Sequence, residues 1–526
     1  MFKNQADKLT LEKKLYQLII SRLDGYDIRS RRYKEGIYEL VERGIGGFII
    51  FGGRKDEIKD FIQKIQSFSE IPLFMASDVE CGVGKQIDDT TLFPCQMAMS
   101  AAIDKEKPGN IVLLQNALRA VSYESIDVGI NMPLMPVLDI NQNPDNPIIC
   151  TRAFSDNPDD VAWFGSWYIK ELEGAGLISC AKHFPGHGDT NVDSHISLPV
   201  ITKSLEELMK NDLIPFIEAI KEGVSSIMVG HLSIPVIDSK PASLSKRLIT
   251  DLLRKELGFD GLVLTDALNM KALKDFEYVS AECIKAGADI LLHPEDADKT
   301  VEELKFAMKN NILSEEEIEK AVNRILKIKD RLQNITTPLC PPLVRVASGD
   351  SPRRGELKGG EVDYQGHKVL SANITDMSIT LLKGTEGLLP ISDEAKVHVV
   401  LAGENKFFES FPFKAIFRSV STIHSPIPLP QGKGEGGKVV FAIFTSISAG
   451  RGTSGIDDKE REQVYRLMKK AKNSIVISFG CPYVLRFFRD ADVLIAAYET
   501  TEQAQKAVIK CLKGELGFKG RLPVKI

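Results

Sequence analysis

The sequence predicts an α/β protein: a (β/α)8 barrel followed by a smaller, shortened αβα sandwich domain. Up to about residue 335, short apolar runs alternate with amphipathic segments of helical length. Polar or charged residues follow almost every run, and a similar alternation restarts near residue 366. Continuous apolar strands separated by helices are typical of parallel strands that are buried on both faces.

Seven apolar runs are predicted as barrel strands, at 46–53, 72–78, 130–140, 177–186, 225–235, 261–270 and 288–296. The eighth is the weakest, and residues 16–25 (YQLIISRLDG) are its best candidate. Segments such as 204–223 and 243–258 supply the connecting helices. A closed, TIM-like barrel is the simplest architecture for this pattern.

The remainder predicts a mainly parallel sheet with strands at 378–384, 396–404, 439–446, 474–480 and 493–499. The tail, 514–526, is expected to add a last strand. Two stretches rich in Pro, Gly and charge are interpreted as a linker (338–367) and an inserted loop (425–437). The expected domains are therefore 1–337 and 368–526.

Composition argues against several classes of protein. The net charge is −5 and the pI is about 6.0, so the basic excess that nucleic-acid binding requires is missing. The polar start and the lack of any long apolar segment predict a cytoplasmic chain without membrane contact. The eight scattered cysteines form no C-x-x-C pair and are expected to be buried, reduced thiols. The sequence carries no indication of oligomeric state.

Ionisable residues cluster where the predicted barrel strands end. In (β/α)8 barrels the active site lies at the carboxyl ends of the strands and is built from the βα loops. Scattered structural caps would not explain charge after nearly every strand. The residues concerned are Asp78, Glu80, Asp139, Lys182, His183, His231, Asp266 and His293.

The densest polar stretch follows the strand at 177–186 and ends in Asp193-Ser-His195. A zinc site and a purely structural polar loop are the alternatives, although a helical i, i+4 His pair and Cys partners are missing. Two residues apart on an extended, mobile loop, Asp193 and His195 are expected on the same side. The carboxylate would then fix the imidazole tautomer and stabilise its protonated form, as proton delivery to a leaving oxygen requires.

Asp266 ends the most apolar predicted strand. It is either the N-cap of a following helix or a reactive carboxylate. A nucleophilic carboxylate must be ionised and held rigidly, and a strand end supplies that rigidity.

Five motifs in order complete the argument: GIGGFIIFGG, FMASDVE, PVLDINQNPDNPIICTRAFS, AKHFPGHGDTNVDSHISLP and LTDALNM. Together they resemble glycoside hydrolase family 3 over roughly residues 10–335. The Asp-x-His form of the loop resembles the β-N-acetylglucosaminidase (β-hexosaminidase) branch. In the glucosidase and xylosidase branches, by contrast, the acid is a Glu from the second domain, and no clearly placed candidate is visible here.

The resemblance implies Asp266 as nucleophile and the Asp193/His195 dyad as acid/base. Residues implied to hold the sugar in subsite −1 are Asp78, Arg152, Lys182 and His183, to which we add the strand-end His231 and the motif residue Met270. For Asp78 and Arg152 a structural salt bridge stays an alternative. One departure concerns residues 81–86 (CGVGKQ), where this branch often carries an arginine; Lys85 lacks the bidentate fork of arginine.

The expected activity is retaining, exo-acting hydrolysis of terminal β-linked N-acetylglucosamine, without metal or organic cofactor. Muropeptides derived from peptidoglycan are the expected substrates, and small carbohydrates or muropeptides the only expected partners. A neutral His base does not repel anions, so phosphorolysis is a competing reaction. A β-glucosidase, a β-xylosidase and a non-catalytic sugar-binding protein are the competing interpretations of the chain as a whole.

Overall fold

A computed structural model describes residues 6–332, 362–408, 412–425, 437–448 and 450–526. Most of the expected linker (338–361), most of the expected inserted loop (426–436) and Cys340 lie outside these residues. The chain divides into two compact units. Unit 1 comprises Met1–Phe93, Gln115–Ile140 and Pro158–Lys368, and unit 2 comprises Pro94–Leu114, Asn141–Asn157 and Val369–Ile526.

Unit 1 contains the predicted barrel. Its strands are β1 (Ile19–Asp24), β2 (Gly47–Phe51), β3 (Phe74–Ser77), β4 (Met132–Pro133), β5 (Cys180–Phe184), β6 (Ser226–Val229), β7 (Leu262–Thr265) and β8 (Leu291–Leu292). Strands β4-β3-β2-β1-β8 form one parallel sheet and β5-β6-β7 another. Parallel bridges from Val137 to Lys182 and from Leu264 to Ile290 join the two sheets at both ends. The ring is thereby closed, and the weakest candidate strand, 16–25, is confirmed as β1.

The barrel strands are buried as parallel strands require. Every residue of β3, β5, β6 and β7 is buried, because the ring covers one face and helices cover the other. In α11 (Glu315–Leu332) the buried residues Ile318, Val322 and Ile325 recur three or four positions apart, which is the stripe of an amphipathic helix.

The α-helices of the described residues follow in chain order. They are α1 (Leu11–Gln17), α2 (Arg31–Glu42), α3 (Lys55–Phe68), α4 (Gln96–Ala102), α5 (Pro108–Val128), α6 (Pro158–Gly174), α7 (Leu205–Lys210), α8 (Ile214–Lys221), α9 (Val279–Ala286), α10 (Ala297–Lys309), α11 (Glu315–Leu332), α12 (Tyr364–Ser378), α13 (Phe413–Ile416), α14 (Asp458–Lys470) and α15 (Glu502–Lys513). A π-helical segment, Arg247–Glu256, connects β6 to β7. None of the described helices combines the length and the apolar character needed to cross a bilayer.

Unit 2 is built around a six-stranded sheet. Its strands are β9 (Thr380–Lys383), β10 (Val397–Gly403), β11 (Ser419–Thr422), β12 (Lys438–Phe444), β13 (Asn473–Phe479) and β14 (Val493–Ala496), in the order β11-β10-β12-β13-β14-β9. All neighbours are parallel except β14 and β9. The mainly parallel sheet is confirmed, and its apolar residues form one core with the buried face of α15.

Two details of unit 2 differ from the prediction. Strand β11 was not predicted, because its sequence Ser-Val-Ser-Thr is polar and half-buried at the sheet edge. The tail adds no strand: residues 515–526 contain neither helix nor strand. The Gly520 N–H donates to the Ile379 carbonyl and the Arg521 N–H to the Ala101 carbonyl, which is not a strand ladder. None of the seven described cysteines forms a disulfide bond, and all except the half-buried Cys81 are buried, as expected.

Candidate functional site

The predicted site residues of unit 1 lie at the carboxyl ends of the barrel strands. Asp78 follows β3, Lys182 and His183 belong to the last half of β5, and Asp266 directly follows β7. The carboxyl ends of parallel barrel strands open to one face of the ring. The strands therefore bring these four side chains to the same end of unit 1.

Asp266 is fixed by the backbone on both sides of its side chain. Its N–H donates to the Val229 carbonyl of β6 at 2.9 Å, and its Oδ1 accepts from the Ala267 N–H at 2.8 Å. No described helix begins at Asp266, so the N-cap alternative does not apply. Burial alone would raise the pKa of Asp266, but His183 and His231, the Ala267 N–H and His195 together lower it. The carboxylate is thus held ionised, as a nucleophile must be.

Asp193 and His195 form the predicted pair. Nδ1 of His195 lies 2.8 Å from Oδ1 of Asp193, which has no exposed side-chain surface, whereas 35% of the His195 side chain is exposed. The reason for the contact differs from the expectation, because the segment is a turn and not extended. The His195 N–H also donates to Oδ1 of Asp193 at 2.9 Å, and the Ile196 N–H donates to the Asp193 carbonyl. A carboxylate accepts, so Nδ1 carries the proton and Nε2 is left for proton transfer.

Lys182 connects the end of β5 to the segment after β3. Its ammonium lies 2.7 Å from Oδ1 of Asp78 and 2.9 Å from Oε1 of Glu80. The side chains of Lys182 and Glu80 are almost fully buried, whereas 32% of Asp78 is exposed. Of these three groups, only the Asp78 carboxylate can be reached by solvent or by a sugar hydroxyl. The buried Lys182 ammonium holds that carboxylate in place.

His183 is held by Asp139. This aspartate was predicted to lie at a strand end, but no function was predicted for it. Nδ1 of His183 lies 2.7 Å from Oδ2 of Asp139, and the His187 N–H donates to Oδ1 at 2.6 Å. Asp139 has no exposed surface. Burial alone would raise the pKa of Asp139, but His183 lowers it. Nδ1 of His183 thus donates to Asp139, and its Nε2 is oriented away from this partner.

His231 is placed behind Asp266. Its Nδ1 lies 2.8 Å from the Ser243 hydroxyl and its Nε2 lies 3.2 Å from the Ala267 carbonyl. Since a carbonyl only accepts, Nε2 carries the proton and Nδ1 accepts from Ser243. The ring is completely buried, and burial lowers its pKa. In this structure His231 contacts the backbone next to Asp266, and its predicted contact with a sugar stays a prediction.

Three further residues considered in the sequence analysis are Met270, Arg152 and Lys85. Met270 is 6% exposed, and its N–H donates to the Ala267 carbonyl in the turn after β7. Arg152 belongs to unit 2, where it ends the short helical turn Cys150–Arg152 and its guanidinium approaches the Ile148 carbonyl. Its role in sugar binding stays a prediction. Lys85 is exposed in the turn Val83–Lys85, and a replacement of the missing arginine also stays a prediction.

The loop that carries the dyad is anchored at two further points. Gly188 lies directly against the backbone of Ile140, and a Cβ atom there would collide with the Ile140 carbonyl. At the other end of the loop, the Lys203 ammonium lies 3.1 Å from Asp189 and 3.0 Å from Asp212. The position of the dyad is therefore set by backbone packing and by an ion-pair cluster.

The geometry combines three capacities: an ionised carboxylate at a strand end, an imidazole held in one tautomer, and a buried cation beside a reachable carboxylate. Among the residues that the structure describes, no three His, Cys, Asp or Glu side chains converge in a way that would hold a metal ion. Nucleophilic attack at one carbon and proton transfer to the departing oxygen is the chemistry that these groups support.

Comparison with known proteins supports this interpretation. Residues 10–328 match the model of the Glycosyl hydrolase family 3 N terminal domain. Beta-hexosaminidase A of Pseudoalteromonas piscicida is 32% identical over 407 residues, which cover 70% of this chain and 65% of the relative. The chain thus spans just under two thirds of that relative's length.

Two further relatives give a similar result. A beta-hexosaminidase of Neisseria meningitidis serogroup C (strain 053442) is 33% identical over 273 residues, which cover 50% of this chain and 74% of the relative. The solved structure of a glycoside hydrolase family 3 beta-N-acetylglucosaminidase from Paenibacillus sp. str. FPU-7 aligns with a TM-score of 0.79 at 27% identity. That alignment covers 98% of this chain and 99% of the other. The chain therefore belongs to glycosyl hydrolase family 3.

Proposed function

We propose that this protein is a retaining, exo-acting glycosidase that hydrolyses terminal β-linked N-acetylglucosamine. The observation that carries the proposal is the hydrogen bond of 2.8 Å between His195 and the buried Asp193, in the same unit as the ionised Asp266. Burial alone would raise the pKa of Asp266, but His183, His231, the Ala267 N–H and, to a smaller extent, His195 lower it, so His195 acts on Asp266 electrostatically.

In the first step Asp266 attacks the anomeric carbon while the imidazolium of His195 protonates the departing oxygen from Nε2. The products are a covalent glycosyl-enzyme and the free aglycone. The backbone hydrogen bonds of Asp266 fix its position and direction before the substrate arrives. Asp193 stabilises the charged imidazolium and keeps Nδ1 from competing in the transfer.

In the second step the neutral imidazole of His195 removes a proton from water, which then attacks the anomeric carbon. Asp266 leaves, and the sugar is released with its β configuration retained. In subsite −1, Asp78 accepts hydrogen bonds from sugar hydroxyls, and Lys182 orients that carboxylate. His183 presents its Nε2 to a sugar oxygen because Asp139 holds its other nitrogen.

The sugar preference is supported by the Asp-x-His loop and by the activities for which the relatives are named. All three of these relatives are called hexosaminidases or N-acetylglucosaminidases. The proposal also names muropeptides derived from peptidoglycan as the substrates and the cytoplasm as the location of the enzyme.

Hydrolysis of the 4-nitrophenyl β-glycosides of N-acetylglucosamine, glucose and xylose tests the sugar preference. We expect turnover of the first at least tenfold faster than of the others. Initial release of the β-anomer, followed by NMR, tests retention. The Asp266→Ala variant is the control and should lose turnover while keeping its thermal unfolding transition.

Two different results would replace the proposal. Faster turnover of the glucoside or xyloside would identify a β-glucosidase or β-xylosidase, and a sugar 1-phosphate formed in phosphate buffer would identify a phosphorylase. Comparison of N-acetylglucosaminyl-anhydromuramyl peptides with chitobiose then tests the aglycone. Equal kcat/KM values for the two would contradict the preference for muropeptides.

A further inference from the structure

A chain of buried hydrogen bonds runs from the β5 strand end into the loop that carries the dyad. It begins at Asp139, which accepts from Nδ1 of His183 and from the His187 N–H. It continues through the His187 ring, whose Nδ1 lies 2.8 Å from the Thr190 hydroxyl and whose Nε2 lies 3.3 Å from the Ser194 hydroxyl. The relative exposures of Asp139, His187, Thr190 and Ser194 are between 0% and 2%.

The directions of these hydrogen bonds are consistent with one another. The Thr190 hydroxyl donates to the His187 carbonyl at 3.1 Å, so its oxygen accepts from Nδ1 of His187. Nε2 of a neutral ring is then the acceptor, and the Ser194 hydroxyl donates to it. Burial lowers the pKa of His187 to about 4, which agrees with a neutral ring at neutral pH.

Ser194 separates the two members of the dyad in the sequence. Because Asp193 and His195 belong to the same tight turn as Ser194, fixing the Ser194 side chain also fixes the direction of the turn. The rings of His183 and His187 pack edge to face at 6.0 Å. One buried imidazole thus contacts both the sugar-binding histidine and the acid/base turn.

We propose that His187 is a positioning residue: through its hydrogen bond with Ser194 it holds the Asp193/His195 turn at a fixed position relative to His183. The inference rests on the proposed glycosidase function and deepens it. His187 itself does not touch the reacting atoms. It sets the distance between the group that binds the sugar and the group that protonates the leaving oxygen.

This role predicts a defect that depends on the aglycone. A misplaced His195 slows the first step for leaving groups that need a proton, because general acid catalysis contributes roughly 10²–10⁴-fold to such steps. An activated aglycone such as 2,4-dinitrophenolate departs without protonation. Its kcat/KM, which reports the steps up to formation of the glycosyl-enzyme, should be almost insensitive to the position of His195.

The first test removes a single hydroxyl. In Ser194→Ala, kcat/KM for the methylumbelliferyl glycoside should fall on the order of tenfold. For the dinitrophenyl glycoside it should change by less than about twofold. The matched control is Ser197→Ala, which removes the hydroxyl of an exposed serine in the same loop and should change neither value.

The second test uses two amides of equal polarity. Gln places its amide where Nε2 of His187 lies and can still bind Ser194, whereas Asn places its amide near Nδ1 and can bind only Thr190. We expect His187→Gln to retain most of the activity on the methylumbelliferyl glycoside and His187→Asn to resemble Ser194→Ala. Thermal unfolding identifies any variant that fails to fold. The activities of the folded variants then decide whether His187 positions the Asp193/His195 turn.

The outcomes separate this inference from the function on which it rests. If the wild-type protein hydrolyses neither N-acetylglucosaminide, the proposed function fails. If the wild type is active and Ser194→Ala loses the same factor on both aglycones, or nothing on either, the positioning role of His187 is wrong. Equal activities of folded His187→Gln and His187→Asn would also overturn it.

Discussion

Nε2 of His231 lies 3.2 Å from the carbonyl oxygen of Ala267, the residue directly after Asp266. The Ala267 N–H in turn donates to Asp266 at 2.8 Å. A fully buried imidazole thus contacts the carbonyl of the same residue whose N–H orients the predicted nucleophile.

Replacement of His231 by Leu is expected to lower both stability and turnover. It leaves the buried Ser243 hydroxyl and the part-buried Ala267 carbonyl without this partner, at a cost of about 1–3 kcal/mol in the free energy of unfolding. Urea unfolding measures the loss, and His231→Gln, which can donate to the carbonyl, should lose less. A Leu variant as stable and as active as the wild type would contradict the role of His231.

The Asp193→Asn variant tests the acid/base pair directly. Its amide oxygen can still accept from His195, but the negative charge that stabilises the imidazolium is lost. We expect kcat/KM for the 4-nitrophenyl N-acetylglucosaminide to fall on the order of 10²-fold. Azide, an anionic nucleophile that needs no general base, should restore part of kcat by forming the glycosyl azide. A variant with unchanged kinetics would remove Asp193 from the site.

Lys182→Met is expected to affect stability and substrate binding together. It leaves the buried Glu80 and the partly exposed Asp78 without their shared cation. Removing one member of a buried pair costs roughly 3–5 kcal/mol, and the exposure of Asp78 reduces this to about 2–4 kcal/mol. KM for the N-acetylglucosaminide should rise as well. Lys274→Met, at an exposed position, is the control and should change neither quantity.

Acid should destabilise the folded chain well before its carboxylates titrate. Burial lowers the pKa values of His187 and His293 to about 4, with Arg22 adding to the effect at His293 and Asp78 opposing it. The ordinary value is 6.5, so between pH 6.5 and 4 the unfolded chain binds protons that the folded chain does not. Stability therefore falls with falling pH, by about 1.4 kcal/mol per pH unit for each histidine.

The His293→Asn variant isolates one of these contributions. His293 has a φ of 47°, a left-handed conformation that Asn tolerates. Urea unfolding at pH 7, 5.5 and 4.5 should give a shallower loss of stability for the variant than for the wild type. Parallel curves would show that His293 does not titrate with a lowered pKa.

Lys203→Met should loosen the loop that carries the dyad. The ammonium of Lys203 joins Asp189 to the buried Asp212, and its removal leaves Asp212 without that cation. Limited proteolysis should cleave within 186–203 faster than in the wild type. Lys210→Met removes an exposed ion pair with Glu206 nearby and is the matched control. Equal cleavage rates in the two variants would contradict the anchoring role.

Much of the fold was predictable because buried parallel strands require continuous runs of apolar residues, and such runs are visible in the sequence. Even the weakest run, 16–25, became β1, since a ring needs a strand between β8 and β2. Elements at the edge of the second sheet were harder to predict. Strand β11 exposes part of every side chain, so its sequence lacks an apolar signature, and the tail 515–526 resembles a strand without pairing as one.

The site was predictable where a motif carries its own chemistry and less so where function depends on distant contacts. Asp266, Asp193 and His195 were predicted from the local sequence together with the family resemblance, and their roles stay a prediction. Asp139 was seen as a strand-end carboxylate, but its partner His183 is 44 positions away. Only the parallel bridge from Val137 to Lys182, which closes the ring next to Asp139, reveals that pair. The link from His187 to Ser194 likewise depends on how the loop folds back on itself. The signals in the sequence were a strand-end Asp and a Gly-His-Gly segment, neither of which specifies a partner.

The packing of Gly188 against Ile140 has a consequence for protein engineering. Diversification of the loop that we propose to carry the acid/base is one route to new aglycone preferences. Position 188 cannot vary freely, because any side chain would push the loop away from Ile140 and displace His195 with it. Libraries that keep this glycine fixed should therefore contain a far larger share of active members than libraries that randomise it.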